Sequence, residues 1–82
     1  MMTKLILLRA LDRIDKPDAH DVADALGVSY PAAAMALLRL VRQGLAARYR
    51  EPETGLYWYE LTAKGEARLD FLDTSRWEND DA

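Results

Sequence analysis

AHDVADALGVSYPAAAMALL, residues 19–38, is punctuated like two helices meeting at a tight corner. Asp18, just before it, can accept a backbone N–H at the start of a short helix from about Ala19 to Leu26. Gly27 ends that helix because it takes positive φ without the steric cost a side chain brings. Ser29 caps the next helix, and Pro31 falls in its first turn, where a missing N–H leaves no hydrogen bond unmade. This second helix is expected to run to about Gln43, with Gly44 placed to stop it.

Upstream, Leu5, Leu8, Leu11 and Ile14 recur at helical spacing between Thr3 and about Asp15, with Thr3 as N-cap and Pro17 beyond the end. Downstream, Leu45-Ala46-Ala47-Arg48-Tyr49-Arg50 and Leu56-Tyr57-Trp58-Tyr59-Glu60-Leu61 flank Glu51-Pro52-Glu53-Thr54-Gly55. Two β-capable runs around a Pro/Gly turn predict a hairpin. Strand alternation puts Leu45, Ala47 and Tyr49 towards the core with Tyr59 and Leu61, and leaves Trp58 outward beside Arg48 or Arg50. Thr62 can cap a last helix from Ala63 to about Asp73. The chain is therefore expected to be mainly α with a small β-hairpin (α+β), one domain over residues 1–73 and an acidic, flexible tail over residues 74–82.

The net charge of −3 is unevenly placed. Residues 1–69 carry ten positive and nine negative side chains, whereas residues 70–82 set Arg76 against Asp70, Asp73, Glu78, Asp80 and Asp81. The acidity thus belongs to the tail and does not bar the preceding residues from nucleic acid, which attracts basic surfaces. Trp77 in that tail can fold back or seat in a partner.

Other classes fall away. With 82 residues and no cysteine, the chain holds one small core, and disulfides and thiolate metal sites are excluded. His20, the one histidine, cannot build a zinc site by itself and reads as a surface residue among Asp18, Asp21 and Asp24. The apolar run Leu5–Leu8 is broken by Arg9 and Asp12, far short of the roughly 20 residues of a membrane span. No nucleophile with an adjacent base and no glycine-rich phosphate loop after a strand is present, so no catalytic residue, cofactor or metal is expected. A soluble, cytoplasmic, non-enzymatic protein is the expectation.

Within residues 19–38, Ala23 takes the place of the small residue and Gly27 that of the turn glycine in a helix-turn-helix. Val22, Leu26, Val28, Ala33 and Ala36 occupy its buried offsets. Gly44-Leu45, the hairpin and Leu61-Thr62-Ala63-Lys64-Gly65 follow in order. The whole resembles winged helix-turn-helix domains of the MarR and PadR kind over nearly all of residues 3–73. That resemblance implies a three-helix core, a two-stranded wing and a C-terminal helix. It also implies a DNA-binding transcriptional regulator, acting as a homodimer, with its third helix in the major groove of duplex DNA and its wing on backbone or minor groove.

Carried onto this chain, the resemblance places Ser29, Tyr30, Pro31, Ala34, Arg39 and Arg42 of the third helix and Arg48 and Arg50 of the wing at the DNA. Ala33, Leu37 and Leu40 become its buried stripe. None of Ser29, Tyr30, Pro31, Ala32, Ala34, Met35 and Leu38 can make the bidentate base contacts of Arg, Asn or Gln. Three readings of this apolar side stay open: contact with thymine methyls while arginines grip phosphate, a protein interface through Met35, Leu38 and Val41, or packing within the domain. The alternative function is accordingly a winged-helix protein-interaction module. For Arg48 and Arg50 the choice is between phosphates and the nearby Glu51, Glu53 and Glu60.

Overall fold

The computed structural model describes the backbone of residues 3–81 and the side chains of residues 3–74. Helix α1 (Lys4–Arg13) is capped by Thr3, whose hydroxyl accepts from the Ile6 N–H at 3.2 Å. It ends two residues before the expected Asp15. Ile14 is already extended, and Lys16 turns the chain at φ +48°, a left-handed conformation that side chains rarely adopt. That turn delivers Pro17 into the core, where it is fully buried.

Helix α2 (Ala19–Leu26) opens on a reciprocal capping box: Asp21 N–H donates to the Asp18 carboxylate at 2.8 Å and Asp18 N–H to that of Asp21 at 3.1 Å. Gly27, at φ +66°, ends it where expected, and helix α3 (Tyr30–Arg42) leaves at 113° to α2. Its far end is a Schellman closure. Leu45 N–H reaches back to the Leu40 carbonyl (2.9 Å) and Gly44 N–H to that of Val41 (3.0 Å), with Gly44 at φ +76°.

Strands β1 (Ala46–Arg50) and β2 (Tyr57–Leu61) pair antiparallel with Ala46 opposite Leu61 and Arg48 opposite Tyr59. This register corrects the expected faces. Leu45 is buried through the Schellman closure rather than by strand alternation, so the inward series starts at Ala46. Ala47 and Tyr49 then fall on the other side, where Tyr49 is exposed and stacks on Trp58 at 4.7 Å. Trp58 consequently lies opposite Arg48 and Arg50, half-buried. Arg48 and Arg50 share a face, as alternation requires. The hairpin is also pinned by the α1–α2 loop: Tyr59 N–H donates to the Pro17 carbonyl at 2.9 Å, and Asp18 bridges Trp58.

Helix α4 (Ala63–Asp81) continues past the expected Asp73. It begins at a crowded joint. The Thr62 hydroxyl donates to the Gly44 carbonyl (2.6 Å) and accepts from Gly65 N–H (3.0 Å), while Lys64 Nζ donates to the Gln43 carbonyl at the end of α3 (3.0 Å). Arg9 of α1 pairs with Asp73, securing α4 along α1. Leu8, Leu11, Val22, Ala33, Leu37 and Leu40 form the centre of one core, closed by Leu45, Tyr59 and Leu69. Among the described residues no single helix is long and apolar enough to cross a membrane. Trp77 and the acids beyond it lie outside the residues whose side chains are described.

Candidate nucleic-acid interface

The core-facing stripe of α3, Ala33, Leu37 and Leu40, is sealed. Its outward side carries Pro31, Met35, Leu38 and Arg42 at four- and three-residue steps, the period of one helix face. Ser29, Tyr30, Pro31, Met35, Arg39 and Arg42 are exposed, Met35 by 50%. Ala34 is half-buried and packs on the core, as does Val41. Leu38 is half-buried yet outside that cluster. Met35 and Leu38 are thus an apolar pair on the surface, and Val41 leans inward from it. Arg39 stands apart, in a shallow groove of about 170 Å³ shared with Thr3, Lys4 and Gln43.

The wing adds a second set. Arg48 places its guanidinium 4.4 Å from the centre of the Tyr57 ring, a cation–π contact between exposed side chains. Arg50, on the same face, is folded over the turn, since a Cβ on Gly55 would lie 3.4 Å from its Nη2. Across the hairpin from Arg48 sits buried Tyr59. Burial raises its hydroxyl pKa, Arg48 opposes that shift through its charge and a hydrogen bond, and Tyr30 and Tyr57 add to it. At the start of α3, the His20 ring of α2 packs against that of Tyr30 in a tilted pair, centroids 4.3 Å apart.

Two exposed groups result: His20 and Tyr30 at the start of α3, and Arg48, Tyr57 and Arg50 on the wing. Of the residues singled out from sequence, Arg48 and Arg50 share one face of the wing; Ser29 and Pro31 flank Tyr30, and Arg39 and Arg42 lie further along α3. Sequence reading missed Tyr57, Tyr59 and the His20–Tyr30 contact. The only available signal was the alternation of Tyr57 and Tyr59 along a strand whose register was not yet known.

Neither a protein-family profile nor a curated protein sequence matches the chain. Solved structures do. A MarR family transcription regulator superposes with TM-score 0.83 at 23% identity, over 93% of this chain and 51% of its own. The transcriptional repressor CouR, bound to a 23-mer DNA duplex, is similar at TM-score 0.79 and 28% identity, over 85% of this chain and 50% of its own. An S. aureus MepR mutant bound to an oligodeoxyribonucleotide gives TM-score 0.83 at 22% identity, over 99% and 62%. The chain spans about half to three-fifths of the length of these structures. The fold is the winged helix-turn-helix found in MarR-family regulators.

Proposed function

We propose that this MarR-like winged helix-turn-helix chain binds duplex DNA as a non-enzymatic, cytoplasmic transcriptional regulator, working as a pair of domains. One observation carries the reading: the fold leaves Ser29, Tyr30, Pro31 and Arg42 of α3 exposed, and with them Arg48 and Arg50 on one face of the wing. CouR and the MepR mutant support it as similar structures bound to DNA. Pairing follows from the small footprint of one such domain, which two half-sites extend.

The residue types define the manner of binding. Arg42, Arg48 and Arg50 supply charge for phosphates, which positions the protein without reading sequence. Ser29 and Tyr30 offer single hydrogen bonds at the start of α3, and Pro31 and Ala34 offer apolar contact for thymine methyls. Affinity then rests mainly on phosphate contacts and on DNA shape.

Replacing Arg48 and Arg50 together by glutamine tests this. Binding to all duplexes should weaken alike, and the slope of log K against log salt should fall by about 2 units, with only a small loss of stability from the exposed Arg48–Tyr57 contact. Titration of a labelled random duplex at several salt concentrations measures both. Unaltered affinity removes the wing from the binding surface.

The exposed Met35 and the neighbouring Leu38, outside the core cluster, favour a second reading. In it, this side of α3 meets a protein partner or a second copy rather than a groove.

A further inference from the structure

The two faces of the wing differ in chemistry. Opposite Arg48 and Arg50, Tyr49 and Trp58 are stacked at 4.7 Å, and the Tyr49 hydroxyl donates to the Glu60 carboxylate at 3.2 Å. That hydrogen bond sets the carboxylate directly beside the aromatic pair, and the charge of Glu60 raises the Tyr49 pKa. Trp58 also forms one wall of a cleft of about 370 Å³ between β2 and the end of α1, with Pro17 beneath and Asp12, Asp15 and Glu60 around it. Lys16 reaches into this cleft, its Nζ 5.6 Å from the centre of the indole ring.

From this arrangement we infer that the Trp58 cleft is a docking site for an arginine-bearing segment of a partner protein. Three features converge on that chemistry. The indole is half-buried and fixed by its stack on Tyr49, so it presents a pre-oriented π-face. That face already takes a cation from this chain, the Lys16 ammonium, which is exposed and held by a backbone at φ +48°. Three carboxylates lie around the same cleft, against Lys16 and Arg13, giving charge complementarity to a basic segment. A guanidinium suits the place better than an ammonium, because it is planar, stacks on an indole and is less strongly hydrated. An incoming arginine displaces Lys16 and pairs with Glu60. The site lies on the side of the wing away from Arg48 and Arg50 and does not depend on DNA binding.

The test uses the full chain with Trp77→Phe, which leaves Trp58 as the one indole. A tetra-arginine peptide, amidated and acetylated, is titrated while Trp58 emission is followed, with the same peptide built from neutral citrulline as control. Saturable change is expected with arginine and none with citrulline. Glu60→Gln should weaken binding about tenfold, the loss of one charge-assisted hydrogen bond. Lys16→Ser should tighten it by removing the resident cation. Glu53→Gln, the same charge change at the wing tip, should leave affinity as it was. An unresponsive Trp58, equal losses from Glu60→Gln and Glu53→Gln, or weaker binding in Lys16→Ser overturns the inference.

Discussion

Replacing Gly65 by alanine should lower the unfolding free energy by about 3 kcal/mol, the upper part of the range for forcing an atom into a packed interior. Alanine is the better helix former by about 1 kcal/mol, so intrinsic propensity alone predicts the opposite sign. The geometry decides. A Cβ on Gly65 would lie 1.9 Å from the Leu45 carbonyl oxygen and 2.9 Å from its carbon. Both are backbone atoms, so no rotamer change relieves the clash. The Leu45 carbonyl is further held by Thr62 N–H at 3.1 Å, so either α4 moves away from the wing or that bond breaks. In a domain of this size the loss corresponds to a fall in Tm of about 15 °C. Gly44→Ala makes the contrast: a Cβ there meets only the flexible Lys64 side chain at 3.9 Å. Its penalty is that of positive φ, about 1 kcal/mol. Urea denaturation of both variants checks the ordering, and equal losses would show that the α4–wing contact is misplaced.

Leu40→Ala should cost about 2 to 5 kcal/mol. Leu40 is 2% exposed and belongs with Ala33 and Leu37 to the inner side of α3. Alanine there removes buried methyl and methylene groups and leaves a void that neighbouring helices fill only in part. Total stability for a chain this short is only about 4 to 12 kcal/mol, so the variant should lose a large share of it. A change of a few tenths of a kcal/mol in chemical denaturation would show that α3 does not sit on the core as described.

The helices were legible because their ends are written in local chemistry. Asp18 and Ser29 accept N–H groups at the starts of α2 and α3, and Gly27 and Gly44 have positive φ at the ends. The wing was legible as two runs around a Pro/Gly turn, but not its facing. One residue of offset inverts every side chain of a strand, and the burial of Leu45 pointed to the wrong parity because the Schellman closure, not the sheet, buries it. The contacts of Trp58 were hidden for the same reason, and because its partners Tyr49, Lys16 and Asp18 reach it through long-range pairing. The surface from Tyr30 to Arg50 was half visible. Its arginines could be placed on elements, whereas the facing of Tyr57 and Tyr59 needed the register. Likewise, Leu61-Thr62-Ala63-Lys64-Gly65 stood out as a pattern, but its physical meaning, a helix start pressed against a carbonyl, exists only in three dimensions.

The central claim is that a duplex lies across the start of α3 and the arginine face of the wing. Backbone amide NMR of the full chain, titrated with a random 20-base-pair duplex at low salt, addresses it most directly. Shifts should concentrate at Ser29, Tyr30, Ala34, Arg48, Arg50 and Tyr57, shrink as salt is raised, and leave Asp12, Lys16 and Glu60 in place. A spectrum unchanged at stoichiometric DNA, or shifts centred on Asp12, Lys16 and Trp58, would contradict it.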